Sequence, residues 1–376
     1  MYKGNIVVEG TCHTYHISEE NALNPQAIGL GNGLFEIINH LHPVGYELPA
    51  EKWFKDVTAQ ELADLLWRET DIDMARFFST KLTDYFADGM NRLDTGVKLR
   101  EEYGDFRVPT VMGSINPLAE DALEDMERQV AEDDVTGFKL YPAFFEDGQT
   151  LDMRLDNPDV GVPIIEKAVD LGVPHIAVHK SIPYGQTKFK KYDVGDMEEA
   201  AAMFPEVTFE VVHAGLSFLE ETKFLLQRYP NVWANLEVTT FLVAESPAGF
   251  AHVLGELLLW GGPDRIIWST GPNAIHPQPL IETFWDEFQF PQHMLDNGYP
   301  PLTDEIKRMI LGENALRMMG KDPDDVRTKL TEIDDEVARL RDEQGEPPEP
   351  WASIKPTGAS GPLEIPRAAQ QVVGDE

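Results

Sequence analysis

Eight short apolar runs, each followed by a stretch with helical periodicity, constrain the fold of this 376-residue sequence more than any other feature. Runs such as HIAVH (175–179) and FEVVH (209–213) are almost continuously apolar. Strands that are buried on both faces have this pattern, which is typical of a parallel sheet covered by helices. The predicted strands are 5–9, 74–79, 108–115, 137–141, 175–179, 208–213, 232–238 and 265–269.

The number and spacing of these runs predict an α/β fold, a (β/α)8 TIM barrel over residues 1–320. The alternative is an open doubly wound sheet, but no GxGxxG or P-loop motif follows the first strand. The first βα connection, about 11–57, is long enough to be an insertion that covers the active site or contacts another subunit. Residues 321–343 form a highly charged helical pattern, and 344–376 form an extended, proline-rich tail, which we expect to be flexible or to wrap a neighbouring subunit through Trp351.

The charge of the chain narrows the choice of partners. Asp and Glu number 66 against 31 Lys and Arg, which gives a formal net charge of −35. Nucleic acids and anionic membrane surfaces are therefore not expected partners, because both require clustered basic residues. The single cysteine, Cys12, cannot form an internal disulfide and is typical of a cytoplasmic protein. No apolar run approaches the ~20 residues that a membrane-spanning helix requires.

Three histidines stand at the ends of predicted strands. His13 follows the first strand, His179 ends the fifth and His213 ends the sixth. Active sites of such barrels lie at the carboxyl ends of the strands, and neutral imidazole is a common ligand of zinc and iron. A single histidine at a strand end would be interpreted as a polar residue whose hydrogen bonds are made within the fold. The three histidines together predict a site for one divalent metal ion.

The sequence resembles the amidohydrolase-related proteins, which are metal-dependent barrels that include the aminocarboxymuconate-semialdehyde-decarboxylase-like enzymes. The motifs that carry the resemblance are GFKLYPAF (137–144), HIAVHKS (175–181), FEVVHAG (209–215), YPNVWANLE (229–237), DRIIWSTG (264–271) and ILGENALRMMG (310–320). The resemblance implies a mononuclear metal site and either hydrolysis of a C–N or C–O bond or non-oxidative decarboxylation of a small organic substrate.

The resemblance assigns roles to individual residues. His13 matches the family's first metal ligand, and His179 matches the ligand on strand five. Tyr15 stands where the second ligand of the first strand is expected, so His16 is the substitute ligand if the strand has already ended or bulged there. His213 matches a residue that is a ligand or a general acid/base, and we assign it the acid/base role. The expected ion is zinc, with iron or manganese as alternatives.

The family's strand-eight aspartate is absent, because Thr270 and Gly271 occupy that segment. The nearest substitutes are Asn273 and His276. We assign His276 to substrate binding, together with Tyr15, Lys139 and Tyr141. For Lys139, pairing with a buried acid or contact with the substrate is expected ahead of carboxylation.

Two glutamates lie within apolar strands. Alternation from His213 places Glu210 toward the helices, in a structural role. Glu237 lies near the top of the seventh strand and could be a spare ligand, a base, or a partner of Lys139 or Lys180.

A metal-dependent enzyme is therefore the first hypothesis. The second is an accessory protein that has lost or altered its chemistry, because the sequence is also similar to amidohydrolase-like proteins encoded with bacterial diiron monooxygenases; its partner would be a monooxygenase component. The third is a barrel that binds a small ligand without turnover. A homodimer is expected from the long first connection and the tail.

Overall fold

The computed structural model describes residues 1–146, 149–357 and 361–364. Eight parallel strands form one sheet in the order β1-β2-β3-β4-β7-β8-β9-β10, which confirms the predicted barrel. The barrel strands are β1 (Val8–Cys12), β2 (Met74–Phe78), β3 (Thr110–Ser114), β4 (Phe138–Leu140), β7 (His175–His179), β8 (Thr208–Val212), β9 (Val232–Asn235) and β10 (Ile266–Ile267). Strands β5 (Ala143–Glu146) and β6 (Gln149–Asp152) form a separate antiparallel hairpin.

Helices cover the outside of the barrel and fill its connections. They are α1 (Pro25–His40), α2 (Ala50–Trp53), α3 (Ala59–Arg68), α4 (Leu93–Arg107), α5 (Ala122–Asp133), α6 (Gly161–Asp170), α7 (Gly195–Met203), α8 (Leu219–Arg228), α9 (Leu242–Glu245), α10 (Pro247–Gly261), α11 (Pro277–Glu282), α12 (Gln292–Asp296), α13 (Asp304–Arg308), α14 (Asn314–Met318), α15 (Pro323–Glu332) and α16 (Glu336–Gln344). Short 3₁₀ turns occupy Phe189–Tyr192 and Thr239–Phe241, and π-helical turns occupy Thr283–Glu287 and Met309–Glu313. No helix in the described ranges is long and apolar enough to cross a membrane.

The barrel closes between its first and last strands. The Gly10 amide donates to Trp268 O at 3.1 Å. A Cβ atom at Gly10 would lie 2.5 Å from that same oxygen, so closure requires glycine there. The buried carboxylate of Glu9 also accepts from Thr270 N at 2.8 Å, which ties β1 to the segment after β10. Burial raises the pKa of Glu9 to about 7.

The lumen holds a buried ion pair beneath an apolar layer. Arg76 on β2 donates to Glu210 on β8, at 3.2 Å between Nη1 and Oε2, and neither side chain is exposed. Because β2 and β8 are not neighbours in the sheet, this pair crosses the lumen, and the prediction that Glu210 faces the helices is wrong. The reason is His213, whose φ of +64° ends the strand and shifts the alternation by one residue.

The first insertion carries α1, which covers one side of the barrel mouth. Asn24 caps this helix, with its side chain accepting from Ala27 N, and Pro25 stands at the first helical position, where its missing N–H is not needed. The helix is packed through Ala27, Gly31 and Ile38, which are buried. Of the two expected roles for the insertion, this placement favours covering the barrel mouth.

The C-terminal segment packs against its own chain as far as the structure describes it. The charged pattern of 321–343 forms two helices, α15 and α16, rather than one. Trp351 is buried, and its indole Nε1 donates to Tyr46 O at 2.8 Å. Its amide donates to Glu69 Oε2 at 2.6 Å. Trp351 therefore contacts the first insertion of the same chain, and residues 358–360 and 365–376 of the predicted tail lie outside the described residues.

Candidate functional site

The site is built at the carboxyl ends of the barrel strands by an unusual backbone. Ser181, His213 and Val238 follow β7, β8 and β9, and all three have a positive φ. This conformation is strained for a non-glycine residue and above all for β-branched valine, and such strain concentrates at functional sites. At His213 the turn directs the ring into the lumen, beside the side chain of His179.

His179 and His213 point two ring nitrogens at each other. His213 Nδ1 lies 2.9 Å from Glu237 O, and His179 Nε2 lies 2.9 Å from Ile182 O. A carbonyl oxygen only accepts, so each of these nitrogens carries the ring proton. The other two nitrogens, His213 Nε2 and His179 Nδ1, are then without protons and lie 3.1 Å apart. Two facing lone pairs repel each other unless a proton or a cation lies between them.

Burial keeps both of these rings neutral. Burial is the main cause that lowers the pKa of His213, Glu237 opposes the shift and Lys139 adds to it, and the net value is about 4. The pKa of His179 is lowered well below its usual range by burial and by His213. Neutral imidazole is the form that binds a metal ion.

Glu237 provides a carboxylate beside these rings. Its Oε1 lies 2.6 Å from His13 Nε2, and its Oε2 lies 3.8 Å from His213 Nε2 and 3.8 Å from Lys139 Nζ. Oε2 is buried and has no hydrogen-bond partner. Burial raises the pKa of Glu237, but His13, His213 and Lys139 outweigh this and lower it to about 2, so the group is ionised.

The Nδ1 atom of His13 has both an acceptor and a donor beside it, so either neutral tautomer finds a partner at this nitrogen. Its Nδ1 lies 2.8 Å from Phe78 O, which accepts, and 2.8 Å from Asn91 Nδ2, which donates. With its proton on Nε2, the ring donates to Glu237 and accepts from Asn91. With its proton on Nδ1, the ring donates to Phe78 O and leaves Nε2 free as a ligand.

These side chains provide the donor atoms that a metal ion requires, but the atoms are not arranged around a single point. Among the described residues, no group of three or more His, Cys, Asp or Glu side chains has the arrangement of a metal site. The fit rests on the orphaned oxygen of Glu237 and on the facing nitrogens of His179 and His213. Two nitrogens bound tetrahedrally to one zinc ion at its usual bond length lie about 3.3 Å apart, close to what is observed. Each ring also donates its other N–H to a carbonyl, as metal-bound histidines do.

Gly271 lies in the segment where the family resemblance places an acidic residue after the eighth barrel strand. A Cβ atom built on Gly271 would lie 3.5 Å from Glu237 Oε1. The carboxylate therefore lies beside the position from which an acid on the segment after β10 would extend. Glu237 on the preceding strand supplies the charge instead. The sequence signal for this was an acidic residue at the end of an otherwise apolar strand.

A cavity of about 750 Å³ opens above these groups. His13, His179, His213 and Glu237 lie among the residues of its wall, and α1 provides apolar residues opposite them. Its aromatic members include Tyr15, Tyr141 and Tyr184.

Tyr15 and Tyr141 both lie in the wall of this cavity, where substrate-binding residues were expected. The Tyr15 ring stacks on His13, and the Tyr141 ring stacks on His179 with centroids 4.5 Å apart. Burial raises the pKa of both phenols, so both remain hydrogen-bond donors at neutral pH.

Three other predicted residues lie apart from the cavity wall. Lys139 is buried beneath the site, where burial lowers its pKa to about 8, and its nearest acid is Glu237, as the pairing alternative proposed. His276 contacts Glu69 at 3.0 Å and meets the Trp351 ring edge to face, so the structure places it in the anchor of the C-terminal segment. His16 does not line the cavity, and its Nε2 lies 3.3 Å from Ser18 Oγ. Asn91 Nδ2 donates to His13 Nδ1, and no feature of the sequence predicted this contact.

The comparisons with known proteins agree with this architecture. The sequence pattern of the amidohydrolase family matches residues 54–321, well over half of the chain, so the chain belongs to the amidohydrolase family. The resemblance found in the motifs is thereby confirmed, although the match begins after His13. No curated protein sequence matches the chain.

Solved structures share the fold at low sequence identity. An uncharacterised TIM-barrel protein from Bordetella bronchiseptica has a TM-score of 0.58 and 14% identity, covering 84% of this chain and 98% of its own. An amidohydrolase from Burkholderia multivorans with bound zinc has a TM-score of 0.53 and 14% identity, over 84% and 99% of the two chains. A 5-carboxyvanillate decarboxylase from Novosphingobium aromaticivorans, with bound manganese, has a TM-score of 0.49 and 14% identity, over 85% and 98%, and is too distant to carry an argument. These likenesses establish the barrel fold alone.

Proposed function

We propose that this chain is a metal-dependent enzyme that hydrolyses, or removes CO2 from, a small organic molecule bound in the cavity at the barrel mouth. The observation that carries the proposal is the pair of unprotonated nitrogens, His179 Nδ1 and His213 Nε2, which face each other at 3.1 Å beside the unpartnered oxygen of Glu237. A single cation removes the repulsion among all of these lone pairs.

The ligands we propose are His13, His179 and His213. His13 joins through Nε2 in the tautomer that donates to Phe78 O, which opens its hydrogen bond to Glu237. Three imidazoles are a ligand set typical of catalytic zinc, and they leave a position for substrate or water. Zinc is therefore the first choice of ion, with manganese and iron as alternatives. Such an ion would polarise a carbonyl or carboxyl group and activate a water molecule.

Other residues at the site would then transfer protons and orient the substrate. Glu237 Oε2 has no other hydrogen-bond partner, so it can accept a proton from a water molecule or donate one to a leaving group. Lys139, 3.8 Å away, favours the ionised form of Glu237. Tyr15 and Tyr141 line the same cavity as neutral donors and orient a bound carbonyl group.

The test is zinc binding and turnover by the full chain. Wild-type protein is expected to bind one zinc ion per chain and to hydrolyse p-nitrophenyl acetate faster with zinc than after treatment with a chelator. His179→Ala should lose both the ion and the rate increase, while the exposed control His40→Ala should keep both. Turnover that is independent of zinc and equal in both variants would refute the proposal.

The same experiment separates two roles for His213. If His213 is a ligand, His213→Ala lowers the zinc content of the protein. If it is the general acid/base expected from the family resemblance, the variant keeps its zinc and loses activity. The accessory role beside a diiron monooxygenase remains an alternative prediction, which binding of an oxygenase component by the metal-free chain would favour.

A further inference from the structure

His42 is a buried histidine outside the candidate site that makes no hydrogen bond. It follows α1 and is 5% exposed. Within the part of the chain that the structure describes, neither of its ring nitrogens has a hydrogen-bond partner. Such groups are rare in folded proteins, because a polar atom that leaves water without gaining a partner destabilises the fold. An imidazole at this position therefore needs an explanation other than packing.

The ring of Trp351, in the C-terminal segment, lies against His42. The two rings meet edge to face, with their centroids 5.5 Å apart. The Trp351 amide donates to Glu69 Oε2, and its indole Nε1 donates to Tyr46 O. Its carbonyl oxygen accepts from Lys52 Nζ. The backbone of Trp351 has a φ of +63°, which is unfavourable for a bulky residue, so its contacts hold it in a strained conformation that opening would relieve.

The charged and titratable groups around His42 come from several elements. Glu69 at the end of α3 is already occupied, because it lies 3.0 Å from His276 Nε2 and accepts from the amides of Trp351 and Ser353. A proton on His42 would therefore place a positive charge beside His276 without an acceptor among the described residues for either N–H group. The other charged or titratable groups near this contact are Tyr46 and Glu47 from the same connection, Lys52 from α2 and Glu349 from the C-terminal segment.

The buried position of His42 makes its contact with Trp351 sensitive to pH. Burial and the neighbouring His276 lower the pKa of His42, the Ile38 carbonyl and Glu47 oppose the shift, and the net value is about 4. When Trp351 leaves and water reaches the ring, the pKa of His42 returns toward its ordinary value of about 6.5. The open state therefore binds a proton more readily than the closed state. The closed state keeps its full advantage above pH 6.5 and loses it progressively as the pH falls toward 4.

The connection that contains His42 is tied to the last turn of α1. Asn39 Nδ2 donates to Leu48 O at 3.0 Å, and Leu48 N donates to Asn39 Oδ1 at 2.9 Å. Leu41, directly before His42, lines the cavity. A movement of Trp351 away from His42 is therefore transmitted to a wall of the cavity.

From this geometry we propose that His42 and Trp351 form a pH-sensitive latch, which fastens the C-terminal segment to the first insertion and so holds one wall of the cavity in place. Protonation of His42 in mildly acidic solution places a charge in the contact, Trp351 withdraws, and the last turn of α1 loosens. At neutral pH the latch is closed. It includes none of the proposed metal ligands and does not rest on the proposed function, so it is tested without an activity assay.

Hydrogen exchange of the full chain as purified, followed by mass spectrometry, measures the opening of the latch. Protection factors, which are corrected for the intrinsic effect of pH on exchange, are compared at about pH 7.5 and pH 5.5 for residues 351–354 and 38–42. The closed-state pKa of about 4 and the open-state pKa of about 6.5 predict a loss of protection of about tenfold at the lower pH. The amides of α10 report on the whole fold and should change less than twofold.

The wild-type result alone can overturn the proposal. Equal protection of residues 351–354 at the two pH values would show that the contact is not a pH-sensitive latch. A loss of protection in residues 351–354 without one in residues 38–42 would overturn the coupling of the latch to the cavity wall.

Variants test whether His42 is the group that responds. His42→Leu cannot be protonated, so its protection in both segments should be the same at the two pH values to within twofold. The matched control His40→Leu, at an exposed position two residues earlier, should keep the tenfold response, and so should His276→Gln. If α10 loses protection in His42→Leu at pH 7.5, His42→Gln takes its place with the same expectation. A tenfold response that persists without His42, or that disappears in His276→Gln, overturns the assignment.

Discussion

Gly29 and Gly33 of α1 line the cavity, and replacing both by alanine should stabilise the protein while it impairs ligand binding. Alanine is favoured over glycine in a helix interior by about 1 kcal/mol per residue. Because neither added methyl group meets an atom within 4 Å, no packing cost opposes this gain. The two changes should then add, and Gly29→Ala/Gly33→Ala should raise the free energy of unfolding by about 2 kcal/mol. Urea unfolding followed by tryptophan fluorescence measures this change.

Gly31→Ala is the matched control in the same helix. Its methyl group would lie 2.5 Å from Ile17 Cγ2, so an overpacking cost of about 1–3 kcal/mol opposes the same gain in helix propensity. The control should therefore be no more stable than the wild type. Destabilisation by the alanines at 29 and 33, or an equal gain in stability from Gly31→Ala, would refute the reasoning that the two cavity glycines exist for ligand space.

Two further predictions concern buried carboxylates. Glu210→Gln should lower the free energy of unfolding by about 3–5 kcal/mol at neutral pH, because it leaves the buried Arg76 without its counter-charge. Burial raises the pKa of Glu210, but Arg76 and His175 outweigh this effect and lower the pKa in the folded state. The stability advantage of the wild type over Glu210→Gln is therefore present above the unfolded pKa of about 4.3 and shrinks as the pH falls below it. Urea unfolding of both proteins at pH 7 and pH 4 measures this advantage, and an advantage that grows on acidification would contradict the prediction. Glu69→Gln should loosen the C-terminal segment, because the Glu69 carboxylate accepts a hydrogen bond from the Trp351 amide at 2.6 Å. Limited proteolysis should then cut near Trp351 faster in this variant than in the control Glu349→Gln, whose position is exposed. Equal cleavage rates in the two variants would contradict this prediction.

The barrel could be predicted from the sequence because strands buried on both faces leave a continuous apolar signal. The first strand was predicted three residues too early, at 5–9 instead of Val8–Cys12. Its inward residues are polar: Glu9 bonds Thr270, and Thr11 accepts from Asn235 Nδ2 at 2.9 Å. Polar residues that form hydrogen bonds inside the lumen thus occupy positions where apolar residues would have marked the strand in the sequence.

The candidate site could be predicted only in part. His13, His179 and His213 were predictable because strand ends converge at one edge of a barrel. The contact of Glu237 with His13 depends on barrel closure, which brings together residues 224 apart in the chain. Local periodicity contains no information about such a pairing. His276 follows the last strand in sequence, but its contact with Glu69 draws it to the C-terminal segment.

Zinc K-edge X-ray absorption of the zinc-loaded chain tests the central claim most directly. Three imidazole ligands predict nitrogen scatterers at about 2.0–2.1 Å with the outer-shell pattern of histidine rings. In His179→Ala and His213→Ala, the imidazole contribution should fall, or the ion should be lost. A spectrum of oxygen ligands without imidazole scattering, or one that is identical in the wild type and both variants, would contradict the account.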